Sequence, residues 1–238
     1  MNPDGAAGIC LICEHASSFI PSSLSELGLA PEHRYSHAVW DIGAEALARA
    51  MADTLDAPLV VSSVSRLVYD CNRPPEAKDA IPERTETIDV PGNRNLSTSD
   101  RATRTREIYD PFHDLIAQTL DSFDNTPVFL TIHSFTPNWF GKPRAVELGL
   151  LHDAYPALAQ AMFAHADPSL GTALNEPYSA ADGVTHTLAR HAIPRKLDNV
   201  MIEVRNDLLG SEADIERISG ILCSMLKAAL TDLSGNKS

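Results

Sequence analysis

Two histidines in this chain each follow a short apolar run. Ile9–Cys13 leads into Glu14-His15, and Val128–Ile132 ends at His133. A third run, Val200–Val204, carries Glu203 within it and Arg205 directly after it. Imidazole nitrogens and carboxylate oxygens are the donors a catalytic zinc takes from protein, usually three of them, with a fourth position left for water. His15 and His133 are the first two candidate ligands. The third is open between Asp41 and Glu14; His37 lies four residues before Asp41, a spacing that puts both on one face of a helix. A carboxylate such as Glu203, in a strand otherwise made of Val, Met and Ile, is costly unless it is paired or functional. Burial also raises a carboxyl pKa towards the range useful for general acid–base catalysis. The structural alternatives are hydrogen-bonded histidines at strand ends, a surface charge at Asp41 and a buried Glu203–Arg ion pair.

A second cluster is Ser65-Arg66-Leu-Val-Tyr-Asp70-Cys-Asn72-Arg73-Pro74. Arginine binds a carboxylate through two parallel N–H···O bonds and keeps its charge in a pocket. Asn72 can add a donor to the same anion or fix its orientation. The alternative is a surface ion-pair network in which Asp70 holds one arginine. Ser134 beside His133 lacks the G-x-S-x-G pattern of a nucleophile elbow, which argues against a serine hydrolase.

These residues need a frame that brings strand ends together. Strands are expected at 9–13, 59–61, 66–70, 128–132, 145–151 and 200–204. Helices are expected over about 31–55, 99–123, 157–166 and 185–191, with a last one capped by Ser211. The stripe Ala44, Leu47, Ala48 and Met51 is the clearest part of the first helix. Strands alternating with helices argue an α/β fold with a mostly parallel, mixed central sheet covered by helices on both faces. In such sheets ligands sit outside the carboxyl ends of the strands, where Glu14-His15, His133 and Glu203 all arrive. Residues 74–99, rich in Pro, Gly, Asn, Thr and charge, read as a long loop and a candidate lid.

The chain has 238 residues, 44% hydrophobic and 21% charged, which suits one domain with a full core. Its net charge of −13 disfavours nucleic acid, whose binding rests on Lys and Arg neutralising phosphates, and an anionic membrane surface. A small anionic substrate stays compatible if a few arginines converge. No apolar run reaches the roughly 20 residues of a membrane span, and no signal peptide is visible, so the expected compartment is the cytoplasm. The four cysteines are too few and too scattered for a disulfide scaffold; Cys10 and Cys13 read as small core residues on a strand. Composition leaves the oligomeric state open.

Five segments occur in order: Glu14-His15-Ala-Ser, Trp40-Asp41-Ile-Gly-Ala44, Ser65-Arg66 through Asn72-Arg73-Pro74, Thr131-Ile-His133-Ser-Phe-x-Pro137, and Ile202-Glu203-Val-Arg205-Asn-Asp207-Leu. Together they resemble the N-formylglutamate amidohydrolase family, over about residues 9–209. The Asn72-Arg73 pair after Arg66 is also similar to the layout of zinc carboxypeptidases and aspartoacylases. The resemblance implies a phosphorylase/hydrolase-like α/β fold with one zinc ion, hydrolysing an N-formyl or similar N-acyl amino acid. It implies His15 and His133 as ligands and Glu203 as general base. Arg66 would polarise the carbonyl, and Asn72 and Arg73 would clamp the substrate carboxylate. Carboxypeptidase-like sites usually place a carboxylate ligand three residues after the first histidine; here that position is Ser18, so Asp41 is taken as third ligand and Glu14 as reserve. A side-chain carboxylate on the substrate needs a further cation, for which Arg94, Arg101, Arg104, Arg195 and Arg205 are unranked candidates; Arg205 is taken with Asn72 and Arg73 as a substrate-binding residue. The competing expectations are a zinc peptidase or deacylase of other specificity, and a non-catalytic protein that binds a metal or small molecule.

Overall fold

Apolar runs too short for helices and buried on both faces form the centre of the molecule, seen in a computed structural model that describes residues 2, 5–85 and 88–235. β1 (Ile9–Cys13) is buried at every position. β2 (Leu59–Val61), β5 (Val128–Phe135) and β10 (Asn199–Arg205) join it in parallel, in the order β2-β1-β5-β10. β8 (Leu148–Leu151) continues the sheet antiparallel to β10, and β9 (Thr172–Leu174) closes it as the sixth strand. The mixed, mostly parallel α/β sheet is the one expected.

Side-chain alternation sorts each strand between two cores. Leu11, Leu130, Ile132, Val200, Ile202 and Val204 face one core with α1 (Ala44–Leu55), α4 (Ala157–Ala164) and α6 (Glu212–Gly235). Cys10, Ile12, Phe129 and Met201 face the other, under α3 (Asp110–Asp121). His133 and Glu203 are in phase with Phe129 and Met201, so both point to this second face at its carboxyl end.

Several elements differ from expectation. The first helix starts at Ala44, not near Pro31; before it lie short 3₁₀ turns at Ser22–Gly28 and Pro31–His33. Gly43 has φ +82 and packs on Leu209 so closely that a Cβ would sit 2.6 Å from it. A right-handed helix cannot run back through that residue, so α1 begins at Ala44; residues 34–40 before it are turns and bends, and His37 and Asp41 do not share a helical face. Arg66–Asp70 is a turn and not a strand: the amides of Val68 and Leu67 bond to Ser65 O and Ser65 Oγ, a local alternative that serine offers the backbone.

Residues 74–99 hold more structure than a loop. They contain a 3₁₀ turn at Lys78–Ala80, the strand pair β3 (Arg84–Thr85) and β4 (Ile88–Asp89), and another turn at Pro91–Asn93. Ile81, Ile88 and Val90 are buried there. The helical stretch after Ser97 is α2 (Thr98–Arg104), a π-helical segment at Thr105–Tyr109 and then α3; Ser97 and Asp100 form a capping box at its start. A small hairpin, β6 (Asn138–Trp139) and β7 (Lys142–Pro143), follows β5. The stretch after Thr185 is a π turn at Leu188–Ala192 and the short α5 (Ile193–Arg195).

Candidate functional site

The carboxyl ends of β1, β5 and β10 converge. His133 and Glu203 are direct partners in the β5–β10 ladder, and Gly149 of β8 lies opposite Glu203 on its other side. A Cβ on Gly149 would meet Glu176 O at 2.1 Å, so only glycine lets the 175–178 segment approach the sheet here. Asp41 is delivered by a backbone tie: its N–H donates to His15 O at 3.0 Å.

The two histidines have matching surroundings. His15 Nδ1 lies 3.2 Å from Asp41 Oδ2 and its Nε2 2.7 Å from Asp70 Oδ1. His133 Nδ1 lies 2.9 Å from that same Asp41 oxygen, and its Nε2 is 3.0 Å from Glu14 Oε2. The last contact is an ion pair whose angles fall outside hydrogen-bond alignment; both Glu14 oxygens and His133 Nε2 are buried with no hydrogen bond among the described residues. Both imidazoles thus turn Nδ1 towards Asp41 and Nε2 towards an outer carboxylate. His15, Asp41 and His133 bring one donor atom each within 4.8 Å of one another, a buried group that can hold a metal ion. Two nitrogens and one carboxylate oxygen fit the donor set of a catalytic zinc, and the outer carboxylates are partners such ligands ordinarily have.

Arg66 closes the cluster. Its Nη1 donates to Asp41 Oδ1 at 3.2 Å and its Nη2 to Asp70 Oδ2 at 2.9 Å. The turn at 66–70 places Arg66 and Asp70 one helical turn apart, which an extended strand would not do. Burial alone would raise Asp70; His15 and Arg66 outweigh it and hold its carboxyl well below the usual range. Asp41 is held low in the same way, chiefly by His15 and a hydrogen bond from His133. Burial, and next Arg66, would lower His15, but Asp70 and Asp41 leave it raised; for His133, Glu14 and Asp41 overcome burial. Glu203 behaves oppositely. Burial pushes its pKa up to about 7, with His133 lowering it and Asp41 raising it, and its Oε2 has no hydrogen-bond partner among the described residues.

A cavity of about 200 Å³ opens on these groups. His15, Asp41, Arg66, Asn72, Arg73, His133 and Glu203 all line it, together with His37, Thr85, Thr136, Trp139 and Tyr178. Asn72 is already engaged at both ends of its amide: Nδ2 donates to Val184 O, and Oδ1 accepts from Thr187 N at 3.0 Å. Arg73 donates through Nε to Asp79 and through Nη1 to Asn72 O and Gly183 O, and its Nη2 makes no hydrogen bond among the described residues.

Arg205 lies elsewhere: its guanidinium is taken up by Asp207, Glu147 and Arg144 O, and it does not line the cavity. Arg94 and Arg195 pair with Asp89 and Asp121, Arg101 donates to Ile81 O, and Arg104 is held by Asn93 and Val68 O. None of these four lines the cavity. Thr85 is the one contribution of residues 74–99 among the described residues. Ser134 donates its hydroxyl to Ile42 O at 2.8 Å.

Sequence reasoning passed over Tyr178, Trp139 and the outer role of Glu14. Trp139 sits close after the His133 motif and was open to notice by proximity. Tyr178 lies just past β9, a strand the sequence pattern does not announce, and nothing in its spacing marks it.

A model of the N-formylglutamate amidohydrolase family matches residues 7–209. The chain is similar to the solved structure of gene product Atu2144 from Agrobacterium tumefaciens, with 44% identity and a TM-score of 0.96, covering 98% of this chain and 94% of that one. It also superposes on an N-formylglutamate amidohydrolase from Ralstonia eutropha JMP134, with 17% identity and a TM-score of 0.72 over 97% and 95% of the two chains; at that identity the likeness speaks for the fold. No curated protein matches it. Among the described residues no helix is long and apolar enough to cross a membrane. A family match over most of the sequence, running through every site segment, makes this chain a member of the N-formylglutamate amidohydrolase family.

Proposed function

We propose that the protein hydrolyses the amide bond of an N-formyl or other small N-acyl amino acid, with N-formyl-L-glutamate as the leading substrate, and that zinc is its metal. The observation that carries this reading is the convergence of two Nδ1 atoms and one Asp41 oxygen beside a buried Glu203, in a cavity also lined by Arg66 and Arg73. His15, Asp41 and His133 would hold the ion, which when bound supplies Lewis acidity to water and to the scissile carbonyl.

The chain's own residues account for the rest. Glu203, with a pKa lifted by burial, takes a proton from water and returns it to the leaving nitrogen. Arg66, fixed by Asp41 and Asp70, stays charged and faces the carbonyl oxygen as negative charge develops there. Arg73 offers Nη2 to the substrate carboxylate. Asn72 completes that wall by tying Val184 and Thr187 beside Arg73, so its contribution to binding is orientation. Glu14 and Asp70 hold the outer nitrogens of the two histidines.

The test is a panel of N-formyl and N-acetyl amino acids assayed with and without a chelator. Turnover of N-formyl amino acids, lost with chelator and restored by zinc, is the expected result. Activity on none of them sinks the substrate assignment, and activity indifferent to chelation sinks the metal.

A further inference from the structure

Behind one wall of the cavity lies a cation that the chemistry above does not use. Arg144 follows the β6–β7 hairpin, and its guanidinium carbon sits 4.8 Å from the Trp139 ring centroid, 5.0 Å from Tyr178 and 5.2 Å from Phe135. All three rings line the cavity, whereas Arg144 does not. Stacking of a guanidinium against aromatic faces fixes both partners. Arg144 Nη2 also donates to the Tyr178 hydroxyl at 3.0 Å, and Nη1 to Thr136 O at 3.4 Å.

This hydrogen bond has a direction. Guanidinium is only a donor, so the Tyr178 oxygen accepts, and its own proton is left for another acceptor. Among the described residues no acceptor for that proton is formed. We infer that Tyr178 donates its O–H to an anionic oxygen of the substrate, and that Arg144 is a positioning residue that holds the phenol in the required direction. Tyr178 lines the same cavity as Glu203 and Asp41. A cation bonded to the phenol oxygen also strengthens the O–H as a donor. The anionic oxygen can be the substrate carboxylate, held from the ground state onwards, or the oxyanion that develops at the carbonyl.

The inference rests on the amidohydrolase reading, and the experiment separates the two. Tyr178→Phe, which keeps the ring and removes the hydroxyl, is expected to lower kcat/KM by about 10- to 100-fold with the melting temperature unchanged. A loss in KM assigns the bond to the carboxylate, and a loss in kcat assigns it to the oxyanion. Arg144→Met should lower kcat/KM in wild type but add nothing in the Tyr178→Phe background; an additive loss there overturns the positioning role. Wild-type kinetics for Tyr178→Phe overturn the donor. Should wild type turn over no N-acyl amino acid, the activity reading falls. The Tyr178 assignment is then decided by calorimetric binding of glutarate: weaker binding by Tyr178→Phe supports it, and equal or absent binding overturns it.

Discussion

Two groups of histidines lie on either side of the short segment Asp70-Cys71-Asn72, and they are built in opposite ways. On the cavity side, His15 and His133 each meet carboxylates through both ring nitrogens, and both are raised in pKa. On the far side, His113 Nε2 donates to Cys71 O at 3.0 Å, and His191 Nε2 donates to His113 Nδ1 at 2.8 Å. Among the described residues no carboxylate touches that pair, burial dominates, and the values fall to about 3 for His113 and about 4 for His191. Tyr109 and His186 pack alongside. The same residue type forms a group that can hold a cation in one place and a neutral strut in the other; the partners of its ring nitrogens set the difference.

If the cavity-side group is the reactive one, its most sensitive member is Glu203. Glu203→Gln removes the proton acceptor and keeps the shape of the side chain, so turnover should fall by about 10²- to 10⁴-fold. Metal content and melting behaviour should match wild type. A variant that keeps wild-type kcat would move the base elsewhere.

The outer carboxylates sharpen the comparison next. Glu14→Gln and Asp70→Asn leave the three inner donors intact but remove the charge behind an imidazole. Each is expected to weaken zinc binding by about 10- to 100-fold, read by competition with a chromophoric chelator. Asp70→Asn should also loosen Arg66, which loses one of its two anchors, and so lower kcat/KM more than Glu14→Gln does. Equal metal affinity in all three proteins would show that these carboxylates do not support the histidines.

The far-side group should respond in stability and not in metal binding. His113→Phe strands Cys71 O and His191 Nε2–H in a buried place, at a cost of about 1–3 kcal/mol in urea unfolding. Zinc affinity should be retained. A large loss of affinity with little loss of stability would mean that His113 acts through Asp70 on the metal group, and the division between the two clusters would dissolve.

How much of this was legible in sequence follows the same division. The strand ends were readable because buried parallel strands are short, continuous apolar runs, and polar residues that break them stand out at His15, His133 and Glu203. The Arg66 cluster was readable as a density of charge, but its shape was not: Ser65 bonds to the amides that follow and turns the chain where Leu, Val and Tyr suggest a strand. The start of α1 was lost at Gly43, which has a positive φ and also packs on Leu209, a contact 166 positions away that no local pattern carries. His113 and His191 lie 78 residues apart on separate helical segments, so nothing local joins them. Arg205 looked free beside Glu203, and alternation gives the two one face of the strand, but its guanidinium is taken up by Asp207 and by Glu147, a contact 58 positions away that no local pattern carries.

The smallest expected effect is a difference in pH dependence, and its sign distinguishes the clusters. His113 and His191 have folded pKa values below the ordinary 6.5. Their contribution is complete above 6.5 and is lost as pH falls, because the unfolded chain takes up protons that the native one refuses. His15 and His133 are raised in the metal-free protein, so their contribution is complete below 6.5 and is lost as pH rises through the folded values. In a plain stability curve the two pairs offset each other near neutrality. A double variant, His113→Gln with His191→Gln, keeps the cavity-side pair and removes the other. Between about pH 7 and 6, wild type should lose roughly 1 kcal/mol more than that variant, since each far-side histidine follows the titration of its unfolded form. Ring resonances should agree, with His113 and His191 neutral down to about pH 5 and His15 and His133 protonated above 6.5 in the metal-free protein. Parallel stability curves would show that His113 and His191 charge in the native state, and that the far side is no neutral strut.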